Sequence, residues 1–170
     1  VSGFLNMIIA ARDAGVIRFV YASSSSVYGD HPALPKFEEN TGNPLSPYAV
    51  SKLTGEKYMQ VFPQLYGLDT VSLRYFNVFG PRQDPDSPYA AVIPIFLKAL
   101  FEGRAPVVHG DGGQTRDFTY VENVVTGNLK AMAAARTRGE TVNVACGGSI
   151  SVLELFEGIR ELLGSDLRPV

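Results

Sequence analysis

Only one of the 170 residues, Cys146, is a cysteine, so no disulfide forms within the chain. A reducing compartment, the cytoplasm, is the expected location. A surplus of charge of one sign is lacking as well. Fifteen Lys and Arg stand against seventeen Asp and Glu, a net charge of −2, which leaves no basic footprint for nucleic acid or an anionic membrane surface. No apolar run approaches the roughly 20 residues that span a bilayer. The opening VSGFLNMIIAARDAG has neither the basic start nor the cleavage site of a signal peptide. It begins on Val1 and not on Met, and the expectation is a piece of something longer. Internal repeats and low-complexity tracts are absent. What is present is a chain 45% hydrophobic, enough for one core.

The hydrophobic pattern alternates between helical and extended spacing. Phe4, Leu5, Ile8, Ile9 and Ala11 predict a helix that stops at Gly15, and Arg18–Ala22 predicts a short buried strand. A surface loop rich in Pro and Gly is expected over His31–Pro47. Tyr48–Tyr66 is helical in period, with Pro63 expected to kink or cut it near its end. Asp69–Phe79 reads as one strand closed by Gly80-Pro81. Further expectations are a helix over Ala90–Glu102, a brief strand at Val107-Val108, a helix over Val121–Ala135 and a strand over Thr141–Ala145. A last helix spans Ser151–Leu163, opened by Ser151 and Glu154 at capping-box spacing, with Phe156, Ile159, Leu162 and Leu163 as its core stripe. Gly110, Gly112 and Gly113 read as a turn, not a phosphate cradle, because no helix follows at once. Cys146, near a strand end, is expected to be buried.

Such alternation points to an α/β fold, a mostly parallel sheet covered on both faces. In these sheets ligands sit at the carboxyl ends of strands. The serine run of ASSSSVYGD, Ser23–Ser26, follows the Arg18–Ala22 strand directly, and RYFNVFGP closes the next. That position favours hydroxyls aimed at a ligand over a flexible spacer. In SPYAVSKLTGEK, Tyr48 and Lys52 stand four apart on one helical face. A tyrosine, with an ordinary value near 10, is a poor base at neutral pH, and an ammonium close by favours the phenolate. Tyr-x-x-x-Lys also occurs by chance in exposed helices; the serine cluster about twenty residues earlier is what singles this one out.

ASSSSVYGD and SPYAVSK, followed by LRYFNVFGPRQDP, YAAVIP and GDGGQTRDFTYVENVV, resemble the extended short-chain dehydrogenase/reductases that act on nucleotide sugars. Within them the chain is most similar to the UDP-hexose 4-epimerases, and especially to the branch handling UDP-N-acetylglucosamine. The resemblance implies the later part of a Rossmann-like doubly wound parallel sheet plus part of a small C-terminal substrate-binding region. Residues 1–80 would belong to the NAD-binding domain. Residues 81–170 would be a mixed segment of substrate-binding region and remaining sheet elements.

The resemblance also implies roles. Tyr48 matches the catalytic base and acid, Lys52 the lysine that binds the nicotinamide ribose and tunes the tyrosine, and Ser24 the catalytic serine, with Ser25 and Ser26 beside the sugar. Asn77 and Arg116 match diphosphate contacts, and Tyr75 lies beside the nicotinamide. Ala91 and Val92 match the lining of the nucleotide pocket, and Val107 and His109 the stretch that receives uracil. The implied reaction is transient oxidation at C4 of the sugar by bound NAD, rotation of the 4-keto sugar, and return of the hydride to its other face. A homodimer through the Tyr48–Tyr66 helix is implied too, with mild support from apolar Tyr58, Met59, Val61 and Phe62.

The chain departs from the family at both ends. The glycine-rich dinucleotide fingerprint and the acidic residue that reads the adenosine ribose are absent, as are the last substrate contacts. The 170 residues by themselves are therefore expected to aggregate or fold poorly and to bind no NAD. A 4,6-dehydratase would carry Asp-Glu where this chain has Ser25-Ser26. A uronic acid 4-epimerase remains open, since its serine run looks the same. A non-catalytic nucleotide-binding relative typically loses the tyrosine or lysine, and both are present here.

Overall fold

Helix and strand alternate along the chain much as the periodicities predict. The structure, a computed structural model, describes residues 1–87 and 91–170. The described elements are α1 (Ser2–Asp13), β1 (Arg18–Ser24), a 3₁₀ turn (Ser25–Tyr28), α2 (Pro47–Tyr66), β2 (Asp69–Tyr75), β3 (Val78–Phe79), α3 (Val92–Phe101), β4 (Thr115–Arg116), β5 (Thr119–Tyr120), α4 (Val121–Ala133), β6 (Glu140–Val144), β7 (Ile150–Ser151) and α5 (Val152–Leu162). They fall into two compact units. One holds Val1–Phe76 and Glu122–Val144, the other Asn77–Val121 and Ala145–Val170. The first break lies four residues before the 80/81 boundary read from the sequence, and the stretch 122–144 returns to the first unit. Among the described residues no helix is long and apolar enough to cross a membrane.

The first unit is built on a parallel sheet in the order β1-β2-β6. Side chains alternate across it. Tyr21, Ser23 and Arg74 face α2, while Tyr75 and Val144 face α4, where Tyr75 bonds Asn128 and Val144 approaches Gly127. Helices thus cover both faces, the doubly wound arrangement expected for this part of the fold. Ile8 of α1, Met59 and Phe62 of α2, and Leu68 form its core, with Phe4, Phe19, Tyr21 and Tyr58 packed around them.

Three local expectations of this unit are corrected. The Arg18–Ala22 strand runs on to Ser24, and the other serines turn into the 3₁₀ segment. Asp69–Phe79 is two strands, because Asn77 adopts a left-handed φ of 32° between them and no ladder continues through it. Pro63 neither cuts nor ends α2, which continues to Tyr66 and stops on left-handed Gly67. Pro63 has no N–H to give the carbonyl of Met59 four residues back. The buried hydroxyl of Thr70 donates to that carbonyl instead, so the helix loses a bond without leaving an acceptor bare.

In the second unit α3 and α5 pack through Phe96, Leu100, Val152, Phe156 and Ile159, with the Phe96 and Phe156 rings perpendicular at 5.8 Å. Pro94 is harmless because it sits in the first turn of α3, where N–H groups have no partner in the helix. The expected helix start at Ala90, and Tyr89 and Ala90 of the YAAVIP motif, lie outside the described residues. The capping box of Ser151 and Glu154 forms as read. Leu162, however, is 88% exposed, because it falls off the face that Phe156, Ile159 and Leu163 share. Val107-Val108 is not a strand. One pair of backbone bonds joins Pro106 and Val108 to Val170, too little for a ladder. Cys146 is exposed, in the turn after β6 where Asp117 accepts from the backbone N–H groups of residues 146 and 147.

The parallel strands β1 and β2 start together at an ionic knot. Arg18 donates through Nε and Nη2 to Asp69 at 3.0 and 2.6 Å, and through Nη1 to the carbonyls of Ala131, Met132 and Ala134 at the end of α4. The backbone N–H groups of Thr137 and Arg138 also donate to Asp69. Burial alone would push this carboxyl up. The bonds from Arg18, Arg138 and Thr137 outweigh burial and hold it at about 2. A carboxyl lowered in the folded state stabilises it above the unfolded value near 3.9, and that share is lost as pH falls through the folded value. Asp69→Asn should therefore melt lower than the parent at pH 7 and show a flatter fall in Tm between about pH 4 and about pH 2. Parallel acid limbs for the two proteins in thermal melts would contradict this.

Candidate active site

Parallel strands end together and leave their loops at one edge of the sheet, and that edge collects the chemistry of the first unit. At the end of β1, Ser24 is the N-cap of the 3₁₀ turn and accepts from the N–H of Ser26 at 3.2 Å. Ser25 and Ser26 are half-buried. The Ser26 hydroxyl oxygen is enclosed and makes no hydrogen bond among the described residues. Gly29 closes the turn with a φ of 53°. A side chain there would run into the carbonyl of Asn43, 1.7 Å from an added Cβ.

The loop that returns from Gly29 is held down at several points. Tyr28 O accepts from His31 and Gly42, and Asp30 accepts from both the backbone and the side chain of Asn43. Arg74 donates to the carbonyl of Glu38 at 3.0 Å. Asn143 donates through its backbone to the Glu38 carboxylate and through its amide to the carbonyl of Lys36. The loop then delivers Ser46, whose side chain caps α2, and Pro47 at the first helical position.

Tyr48 follows at the exposed end of α2, 54% accessible. One turn on, Lys52 is half-buried and reaches back to the strand. Its Nζ donates to the carbonyl of Ala22 at 2.7 Å and lies 5.6 Å from the centroid of the Tyr48 ring. The same ammonium stands 5.2 Å over the ring of Tyr21. The structure therefore brings Tyr48 and Lys52 to the strand end that carries Ser24. Tyr75, the last residue of β2, is paired in register with Ser24, and its hydroxyl donates to Asn128 at 3.0 Å.

One turn beyond Lys52 the same stripe of α2 carries Glu56, 1% exposed. It accepts two bonds from Arg74 at 2.9 and 2.7 Å and one from the hydroxyl of Ser23. Arg74 is 3% exposed and lies 4.8 Å over the ring of Tyr28. Two charges are buried here only because each is matched and bonded. Sequence reading missed this pair. The available signal was Glu56 continuing the four-residue step from Tyr48 and Lys52.

The other predicted residues belong to the second unit. Val92, Val107 and His109 line one cavity of about 590 Å³ with Phe96 among its walls and the Lys98–Asp86 ion pair among its lining residues. Its volume is that of a small-molecule site. Ala91 is the N-cap of α3. Asn77 and Arg116 do not line that cavity. Asn77 donates to the carbonyl of Asp117 at 3.0 Å and accepts from the N–H of Thr119. Arg116 is exposed on β4, paired with Ile150 of β7. Asp117 is a second residue that sequence reading missed: its carbonyl holds the Asn77 amide while its carboxylate ties down the turn at 146–147.

Residues 1–145 match the family described as NAD dependent epimerase/dehydratase. The UDP-glucose 4-epimerase of Mycolicibacterium smegmatis is 41% identical over 170 residues, covering 99% of this chain and 54% of that protein. Among solved structures, the UDP-N-acetylglucosamine 4-epimerase from Methanobrevibacter ruminantium M1, in complex with UDP-N-acetylmuramic acid, aligns with a TM-score of 0.95 at 43% identity, over 99% of this chain and 54% of that one. The Thermus thermophilus UDP-glucose 4-epimerase complex with NAD aligns with a TM-score of 0.85 at 36% identity, over 99% and 55%. The chain spans about half the length of the relatives it matches. With most of its length matched, and with a paired Tyr48 and Lys52 at the end of a parallel strand, the chain belongs to the NAD dependent epimerase/dehydratase family.

Proposed function

We propose that this chain carries the proton-transfer centre of an NAD-dependent UDP-sugar 4-epimerase acting on UDP-N-acetylglucosamine and its C4 epimer, or on UDP-glucose and UDP-galactose. The observation that carries this reading is Lys52, drawn onto the Ala22 carbonyl at the end of the serine-bearing strand and 5.6 Å from the Tyr48 ring. With that ammonium beside its ring, Tyr48 takes the proton of the sugar 4-hydroxyl and later returns it. Ser24 shares that proton from the strand end, and Ser25 and Ser26 line the sugar. No carboxylate stands at positions 25 and 26, so the elimination of water in a dehydratase lacks its acid–base pair.

The residues present fit the cofactor. An ammonium has three N–H donors and the Ala22 carbonyl takes one, which leaves donors for a ribose hydroxyl. Lys52 would hold the nicotinamide ribose, and Tyr75, steadied by Asn128, would flank the nicotinamide. When bound, NAD supplies hydride acceptance and return at C4. In the second unit, Arg116 offers a permanently charged planar fork to the diphosphate, and Asn77 a steadied amide. Ala91 and Val92 line the nucleotide pocket, and Val107 and His109 receive the uracil. The name of the Methanobrevibacter ruminantium structure supports acceptance of N-acetylated sugars. Of the apolar residues read from the sequence, Met59 and Phe62 are taken up by the core of the first unit and Tyr58 packs against it, so the support for a homodimer built on α2 rests on exposed Val61 with Val50, Leu65 and Tyr66.

Incubation of the complete protein with UDP-N-acetylglucosamine, UDP-glucose and UDP-glucuronate, followed by separation of the products, tests the reading. A 4-epimer of either of the first two is expected. Conversion of UDP-glucuronate alone, or a product that has lost water, would replace it. In the complete protein Tyr48→Phe should keep NAD and lose roughly 10²–10⁴ in turnover; a variant within about threefold of the parent would remove Tyr48 as the base. Arg116→Ala should raise KM strongly through the lost charge-assisted bonds, and an unchanged KM would take Arg116 out of the site. In sedimentation the enzyme should run as a dimer; a monomer alone would dismiss the helix pairing.

A further inference from the structure

We propose that Tyr21 is a positioning residue for Lys52: its ring is the surface on which the ammonium rests, and it keeps that ammonium turned toward Tyr48. The inference rests on the epimerase reading for its kinetic consequence but not for its geometry.

Lysine is a compact charge on a flexible four-carbon stem, so a single hydrogen bond to Ala22 leaves its direction loosely set. Tyr21 supplies what that bond lacks. Its ring centroid lies 5.2 Å from Lys52 Nζ, inside the distance at which a cation is attracted to an aromatic face, and slightly nearer than the ring of Tyr48 at 5.6 Å. Two phenol rings therefore flank one ammonium, but they differ in mobility. Tyr48 is exposed at the helix start, whereas Tyr21 is gripped by the core. The Phe4 ring packs against it at 4.6 Å, tilted by 58°. Gly55 approaches it so closely that an added Cβ would lie 2.5 Å from Cζ and from the hydroxyl oxygen. A glycine inside a helix is destabilising relative to alanine, and here it lets α2 settle onto this ring.

The two phenols also divide their chemistry. Burial first, then the charges of Glu56 and Tyr48, push the Tyr21 hydroxyl up to about 12. Tyr21 thus stays neutral and presents an intact ring to the ammonium, without competing for the proton. The ring and not the hydroxyl performs this role, which separates Phe from every aliphatic replacement.

The test uses Tyr21→Phe, Tyr21→Leu and Tyr21→Met in the enzyme assayed for sugar epimerisation, with Met chosen to fill the space beside Phe4 if Leu disturbs packing. Two measurements are made. One is the split between kcat and KM. The other, independent of turnover, is the rate at which an amine-acetylating reagent labels Lys52 relative to exposed Lys57 on the same helix, read by mass spectrometry. Tyr21→Phe should match the parent within about twofold in both, because the π face is kept. Leu and Met should lower kcat about tenfold with KM within about twofold, and raise the Lys52-to-Lys57 labelling ratio about threefold or more, since a misplaced catalytic group costs rate before binding. An unchanged labelling ratio in the Leu and Met variants overturns the proposal whatever kcat does, and so does a Phe variant as impaired as they are. Were the parent to epimerise no UDP-sugar, the functional reading would fall, and the labelling ratio would still decide what holds Lys52.

Discussion

The buried pair of Glu56 and Arg74 is the constraint on which the candidate site depends. Both side chains are almost fully removed from water, at a desolvation cost that only close pairing and complete hydrogen bonding offset. The pairing is two-pronged, and the Ser23 hydroxyl occupies a further position on the Glu56 carboxylate. One carboxylate thereby joins α2, β1 and β2 at the end of the sheet where Ser24, Tyr48 and Lys52 meet. Removing either partner would leave a bare charge in the core, at about 3–5 kcal/mol. The helix that bears Tyr48 and Lys52 is consequently fixed against the serine strand by electrostatics as well as by packing.

A second ionic centre secures the opposite end of the same strands. Arg18 and Asp69 begin β1 and β2 in register, and between them they engage the end of α4 and the turn before β6. Beside this centre, Thr70 satisfies the carbonyl that Pro63 leaves open in α2. The face of the sheet under α2 is thus unusually polar for a core. Each of these contacts specifies one register of helix on sheet, where an apolar surface would allow sliding. The exposed chemistry at the strand ends stands on this specification. Tyr21 belongs to the same layer, held by Phe4 and Gly55 and in turn touching Lys52.

The second unit follows a different plan. Its core is apolar and aromatic, centred on Phe96 and Phe156, and its polar features lie in turns and at helix starts. Asp117 acts there as Asp69 does in the first unit, one carboxylate gathering backbone N–H groups from a distant segment. A cavity lined by Val92, Val107 and His109 opens beside α3, and its mixture of apolar walls and a few charged groups suits a small polar ligand.

The sequence by itself determined the alternation of helix and strand, the parallel α/β class, the capping box of α5 and the four-residue step that sets Tyr48 beside Lys52. These are local or periodic properties, written in residues a few positions apart. It also set the serine run at a strand end, because a strand followed by small polar residues reads the same way in any context. Tertiary structure decided the rest. Glu56 and Arg74 are 18 residues apart and look like ordinary surface charges until the sheet and helix bury them together. Pro63 reads as a helix breaker until Thr70 supplies the missing donor, and Asn77 reads as strand interior until its left-handed backbone divides β2 from β3. Leu162 matches the core stripe by type but not by angle. In each case the outcome depends on which group a side chain meets across the fold, and a partner's identity is not encoded in local spacing.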